Sequence, residues 1–458
     1  MWVPLPMRPD VPVSPDERRA AVERLLAWAR AKGARWDGIA FVVDESGSAR
    51  GVATRSLAVG ESILTLPRAL MIIDDELEDS TTGPLSLGDE PHPRDALATW
   101  LPLEAREPMS PWRAYLEALP VQLGGLPMFH DADDLAELDG TAAHALATDT
   151  RRDIVSTYDR LPPELRTRLS LADFAWGRAI VMSRAFHAPG TFEHRVALLP
   201  LVDIFNHRRD DTGWSYSPYD GNLVVRTERA IEAGDEVCFS YGNRSNSHLL
   251  VHFGFTLADN TANEASLVFD LPSSPPLRVR VGGIVDERFA RALSMVRLLT
   301  CDPVERDRIV AGLTEPTSIP FLDGANEEAA LDLLATVARR ARAELDAYPR
   351  RASQRAWDQT CALVREGERS ILDQIIELAT AARAYARCTP AQWRATVAAL
   401  PTDASGAVRM LRRYLDTLAG GSVVDEGRTV EMTCHSAIVT LRADHRGTRC
   451  RRCSTGTP

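Results

Sequence analysis

The sequence predicts an α+β fold in which short antiparallel strands are split by a helical insert and followed by an all-helical C-terminal domain. Three observations carry this. Glycine-punctuated runs of β-branched and aromatic residues lie on both sides of a long Ala/Leu/Arg/Asp-rich stretch with helical spacing. Beyond Asp286 one amphipathic run follows another. Helices interrupting β-rich sequence do not build a doubly wound sheet, and no glycine-rich phosphate loop follows a strand.

The elements follow in order. Residues 1–13 form a proline-rich arm. Ser14-Pro15-Asp16-Glu17 is a helix start, with Ser as N-cap, Pro at the first position and Glu closing a capping box. Val22, Leu25, Leu26 and Ala29 share a face, and Gly33 ends the helix. Ile39–Val43, Gly51–Thr54 and Ser62–Leu66 are short strands. In the insert, Trp112, Tyr115 and Leu119 share a helical face before Pro120. Strand texture returns at Leu198–Asp203, Leu223–Arg226 and Val237–Tyr241, with Gly221-Asn222 suited to a hairpin turn. Asn326 caps a run that stripes Leu331, Leu334, Ala338, Ala341 and Leu345 and stops near Pro349. Residues 355–387, 390–400 and 404–419 continue the helical pattern until Gly420-Gly421. No fixed-period repeat is present. The expected divisions are an N-terminal arm and helix (1–36), a first β part (37–75), the insert (76–178), a second β part (179–275), the helical domain (286–420) and a polar tail (421–458).

Composition sets the class. With 45% hydrophobic and 26% charged residues over 458, the chain is an ordinary globular protein. No apolar run reaches the ~18 residues of a membrane span, and the start lacks a secretory signal, so a cytoplasmic protein without membrane partners is expected. The net charge of −11 disfavours nucleic acid and favours a basic partner. Of the 53 basic residues only Lys32 is lysine, which fits GC-rich codon usage. The seven cysteines are scattered and read mostly as buried small hydrophobes. The exception is the tail, where Cys434-His435, His445 and Cys450-Arg451-Arg452-Cys453 have a spacing that matches no standard zinc pattern, so no metal is expected.

Three stretches carry chemistry. They are Ser48-Ala49-Arg50-Gly51-Val52-Ala53-Thr54, followed by Val59-Gly60-Glu61; Ser183-Arg184-Ala185-Phe186 with Leu199-Pro200-Leu201-Val202-Asp203-Ile204-Phe205-Asn206-His207; and Gly234-Asp235-Glu236-Val237-Cys238-Phe239-Ser240-Tyr241-Gly242-Asn243-Arg244-Ser245-Asn246, running on to His252-Phe253-Gly254-Phe255. Singly, each is a turn, a cap or packing. Together, in this order, they resemble the SET-domain protein methyltransferases. The likeness is to the branch containing Rubisco large-subunit lysine methyltransferase and the actin-histidine methyltransferase, and it spans residues 37 to 420.

The resemblance implies a SET fold, S-adenosyl-L-methionine as cofactor and a protein substrate docking on the helical domain. It implies roles for residues at matching positions. Arg50, Gly51 and Val52 stand in the loop that grips the cofactor, with Ala49 replacing the first glycine of the usual Gly-x-Gly. Arg184 stands near the cofactor carboxylate, Asn206 and His207 at its amino-acid and adenine parts, and Phe255 against adenine. Tyr241 is the expected catalytic residue, its hydroxyl lining the methyl channel. Phe186, Val202, Tyr216 and Phe253 are the expected substrate-pocket residues. Phe186 falls where lysine enzymes of the branch carry an aromatic, and Val202 where the histidine enzyme has tryptophan. This favours a lysine acceptor on a basic or lysine-bearing segment. The alternatives are a histidine acceptor, suggested by the spacing around Tyr241-Gly242 and Phe253-Gly254-Phe255, and a degenerate binding module, suggested by Ala49 and Phe253.

Overall fold

Short strands lie on either side of a run of helices in the first half of the chain, where apolar runs are brief and many are closed by Gly, Pro or a polar cap. The structure is a computed structural model. It describes residues 2–8, 13–74, 77, 92–189, 195–208, 212–216, 221–271, 274–283, 285, 287–312, 319–348, 355–402 and 406–420. The tail cysteines and histidines lie outside these residues. Among the described residues no group of His, Cys, Asp and Glu is arranged to hold a metal ion, and no helix is long and apolar enough to cross a membrane.

By packing, the chain forms two units. One contains residues 1–135, 146–244 and 248–255; the other contains 136–145, 245–247 and the chain from Thr256 onward. In the first, α1 (Pro15–Ala31) begins at Ser14, whose hydroxyl accepts from the Glu17 amide while the Glu17 carboxylate accepts from the Ser14 amide. Gly33 ends it at φ +94°. Two residues of the proline-rich arm are anchored. Leu5 is buried with its amide donating to Met128 O at 2.9 Å, and Trp2 Nε1 donates to His130 O at 2.9 Å.

The strands are β1 (Arg35–Trp36), β2 (Ile39–Val43), β3 (Ala49–Ala53), β4 (Ser62–Leu66), β5 (Ile72–Ile73), β6 (Phe186–His187), β7 (Val196–Leu198), β8 (Thr212–Tyr216), β9 (Leu223–Thr227) and β10 (Glu236–Val237). They form three small antiparallel sheets, ordered β1-β4-β9-β8, β10-β3-β2 and β5-β7-β6. Between β5 and β6 run α2 (Pro93–Glu104), α3 (Arg113–Glu117), α4 (Ala132–Leu135), α5 (Ala142–Arg160), α6 (Pro163–Arg168) and α7 (Leu171–Arg184). Helices α2 and α7 cross closely at Gly177, where a Cβ would collide with Ala98 O. The last helix of this part is α8 (Asn246–Phe253).

Two predicted strands are shorter than expected. Leu199–Asp203 is not strand: Pro200 has no amide to donate to a ladder, Leu201 turns at φ +73°, and Val202–Ile204 is one 3-10 turn. Val237–Tyr241 keeps only β10, and the rest runs beside residues 206–208 through a single parallel bridge, His207 to Phe239. Gly221 takes φ +68° in the β8–β9 connection, which is longer than a two-residue hairpin turn because Tyr216 pairs with Leu223.

The second unit opens with a hairpin, β11 (Glu264–Leu271) and β12 (Ser274–Gly282), that the sequence reading had not separated from the preceding β part. After it come α9 (Glu287–Leu299), α10 (Pro303–Gly312), α11 (Gly324–Ala347), α12 (Ala356–Ala382), α13 (Pro390–Ala399) and α14 (Gly406–Leu418); α9 packs on β12, α11 and α12 pack on β11, and α14 packs on α12 and α13. Asp323, not Asn326, caps α11, accepting from the amides of Ala325 and Asn326 at 2.8 Å. Asn326 lies inside the helix and donates to Arg297 O.

The core of this unit encloses charge. Arg297 grips Glu327 through two bonds of 2.7 and 2.8 Å, and Tyr414 donates to the same carboxylate at 2.5 Å. On α12, Arg365 donates to the carbonyls of Glu137 and Asp139 at 2.8 Å, while Glu368 accepts from Ala142 N and from Ser247 Oγ. Glu368 thus caps the start of α5, where the helix dipole favours negative charge.

Candidate active site

The site is built where three short segments of the first unit meet. Arg50, Gly51 and Val52 sit in β3 rather than in a loop. Gly51 is paired with Phe41 on one side and Val237 on the other. A Cβ at Gly51 would lie 2.5 Å from Phe205 Cε1, so glycine is required by the ring stacked over it and not by its dihedrals. Ala49 is paired with Val43 and its φ is not positive, so its methyl is accommodated.

The second segment, Asp203 to His207, follows the strained turn at Leu201. A buried leucine in the left-handed region costs about 1–3 kcal/mol and persists only where its surroundings fix it. Asp203 anchors this segment. Tyr115 OH donates to its Oδ2 at 2.9 Å, and Arg184, the last residue of α7, donates to its carbonyl at 2.7 Å. Burial raises the Asp203 carboxyl above its ordinary value against the opposing pull of Arg184 and Tyr115. Burial also drives the Tyr115 phenol well up, and Asp203 adds to it. Arg18 reaches the same neighbourhood from α1, donating to Ala118 O. Burial chiefly, and then the Arg184 charge, lower it to about 10.

The third segment delivers Tyr241. Its amide donates to His207 Nδ1 at 3.0 Å, so Nδ1 is an acceptor, and its hydroxyl donates to Phe205 O at 2.8 Å. The ring stacks on His207 at 5.1 Å and on Phe253 at 4.8 Å, with Phe255 edge-on at 6.3 Å. Burial pushes the phenol up to about 12, so it stays protonated at neutral pH.

The expected residues are therefore only partly brought together. His207, Tyr241, Phe253 and Phe255 form one ring cluster. Asn206 is exposed, with Nδ2 donating to Glu236 Oε1 at 2.7 Å. Phe186 is half-buried and edge-on to Phe239 at 5.5 Å. Val202 is 1% exposed within the core, and only the backbone of Tyr216 is described, in β8. Asn246, from the Tyr-Gly-x-x-Ser-Asn stretch, is buried in the second unit. Its amide is bonded to Leu257 and Asn260. Sequence reasoning gave no role to Tyr115 or Arg18, which have no local signal at the site; Asp203 and Glu236 stood within the motif stretches but were assigned no role of their own. A separate cavity of about 270 Å³ is lined by Arg94, Asp149, Asp153, Arg178 and His252 and contains none of these residues.

Comparison with known proteins places this geometry. The SET domain family model matches residues 51–242. An Arabidopsis thaliana [fructose-bisphosphate aldolase]-lysine N-methyltransferase is 28% identical, over 49% of this chain and 49% of its own length. A Drosophila melanogaster actin-histidine N-methyltransferase is 27% identical over 64% of this chain and 59% of its own. The chain spans about half the length of the curated relatives it matches. Among solved structures, the SET domain of LSMT bound to lysine and AdoHcy superposes with a TM-score of 0.64, covering 80% of this chain and 92% of that one at 19% identity. Rubisco LSMT bound to AdoMet gives 0.63, over 80% and 93% at 19% identity. The β3 glycine, the Asp203–His207 segment and Tyr241 therefore lie in the stretch that resembles a SET domain, within a fold similar to that of LSMT, while Phe253 and Phe255 follow that stretch.

Proposed function

We propose that the chain is an S-adenosylmethionine-dependent protein methyltransferase that N-methylates a lysine side chain. The observation that carries this is Tyr241, a half-buried ring stacked between His207 and Phe253 with its hydroxyl proton committed to Phe205 O. A hydroxyl so fixed turns its oxygen lone pairs away from Phe205, where they accept from the polarised C–H groups of a sulfonium methyl. With its phenol near 12 it does not act as a base at neutral pH.

The side chains present fit the cofactor's chemistry. Arg184, with a guanidinium 24% exposed, suits a carboxylate; Asn206 suits the amino-acid part together with His207; Phe255 suits the adenine face. Val52 in β3 is paired with Glu236, which holds Asn206, and so ties this strand to the same place. When bound, S-adenosylmethionine supplies a methyl group on a positively charged sulfur. The acceptor nitrogen must arrive neutral, since its lone pair forms the N–C bond as the C–S bond breaks and leaves its electrons on sulfur. The Phe186–Phe239 pair and the Tyr241–Phe253 stack supply apolar surface of the kind that lowers an amine's pKa by desolvation. Orientation supplies most of the acceleration of such a displacement.

A histidine acceptor is the second reading. It is favoured by the relatives named actin-histidine N-methyltransferase. The net charge of −11 supports a basic substrate segment under either reading. The test is incubation of the chain with radiolabelled S-adenosylmethionine and a cell extract, followed by mass-spectrometric mapping of the modified residue. Methyl-lysine is expected. Methyl-histidine transfers the assignment to the second reading, and no cofactor binding by calorimetry leaves a binding module without catalysis.

A further inference from the structure

Asn206 and Glu236 meet with Nδ2 2.7 Å from Glu236 Oε1. An ionised carboxylate has no proton to donate, so the amide nitrogen and not the amide oxygen must face it. Both backbones are fixed independently. Asn206 O accepts from Phe239 N at 2.7 Å, and Glu236 is paired with Val52 in the β3–β10 ladder. The amide therefore has one orientation available, with Oδ1 turned outward. Asn206 is exposed, and no donor from the described residues reaches Oδ1. The site thus offers an acceptor beside His207 and β3, backed by a negative charge.

We infer that Glu236 is a positioning residue that holds the Asn206 amide as an acceptor for the α-ammonium group of the cofactor. This rests on the cofactor reading above. Of the groups on S-adenosylmethionine, the carboxylate is repelled by Oδ1 and by the Glu236 charge behind it, whereas the ammonium is attracted by both.

The test is calorimetric titration with S-adenosylmethionine and with its analogue lacking the α-amino group. Glu236→Gln gives position 236 both a donor and an acceptor, so the Asn206 amide is free to turn. Binding of S-adenosylmethionine is expected to weaken about tenfold, the scale of one charge-assisted hydrogen bond, while binding of the desamino analogue does not change. The double variant Asn206→Asp with Glu236→Gln reverses the pair. The new amide donates to the new carboxylate, an acceptor again faces outward, and binding of S-adenosylmethionine returns. That recovery also answers the case in which the single variant is merely destabilised. Unchanged affinity in Glu236→Gln overturns the inference, as does an equal loss for the two ligands. No binding of either ligand by the wild-type chain removes the cofactor reading, and the inference with it.

Discussion

Tyr241 and Tyr414 are both enclosed phenols with pKa values raised chiefly by burial, yet they are held in opposite ways. Tyr414 is 1% exposed and donates to Glu327, whose carboxylate also takes the two-pronged grip of Arg297. Every partner there is another protein group, and the cluster fixes helices α9, α11 and α14 in one packing. Tyr241 is half-buried and donates to a neutral carbonyl. It shares its faces with His207 and Phe253, and no donor from the described residues reaches its oxygen. The same side chain is saturated by protein partners in one place and, under the proposed function, keeps its lone pairs for a ligand in the other.

The largest effect that tests this contrast is expected at the saturated cluster. Arg297→Met leaves the Glu327 charge buried without its partner, which costs about 3–5 kcal/mol. Denaturant unfolding measures it, and a loss below about 1 kcal/mol would show that the cluster does not hold the fold. Next comes Tyr241→Phe, expected to lower methyl transfer about 10²–10³-fold, as removal of one oriented catalytic group does. Cofactor affinity should be kept, and parallel turnover and calorimetry separate the two effects. Retained turnover removes Tyr241 from the chemistry.

Glu368 gives a pH signature of similar size. Its carboxyl rises from 4.5 to about 7, mainly through burial. A raised folded-state value means that its contribution to stability is whole below about 4.5 and is lost as pH climbs through about 7. Relative to Glu368→Gln, the wild-type chain should lose about 3 kcal/mol between pH 4.5 and 8, at ~1.4 kcal/mol per pKa unit. Equal slopes for the two chains would contradict the assignment. The smallest change is expected from Tyr414→Phe, about 2 kcal/mol for one hydrogen bond to a charged group, with methyl transfer unaltered. A drop in transfer without a drop in stability would blur the contrast between the two tyrosines.

Legibility in the sequence followed range. The Ser14–Glu17 capping box and the runs at Ile39–Val43 and Ser62–Leu66 were readable because neighbours a few residues apart decide them. The Tyr241-Gly242 and Asn206-His207 pairs stood out as motifs. The strand expected at Leu198–Asp203 failed at Pro200, a local cue read too lightly beside the apolar run around it. Which face Val202 presents, and that Tyr115 in the insert reaches Asp203 88 positions away, had no local signature.

By itself, then, the sequence determined the order of strands and helices and the residue types at the site, since caps, turns and hydrophobic periods act over one or two turns of chain. Only the tertiary structure decided which of those residues face one another. Gly51 lies under Phe205, Asn206 is oriented by Glu236, and Tyr241 is enclosed by His207 and Phe253. Such pairings are fixed by how the segments pack, because a hydrogen bond or a ring stack needs a few ångströms in space and is indifferent to separation along the chain.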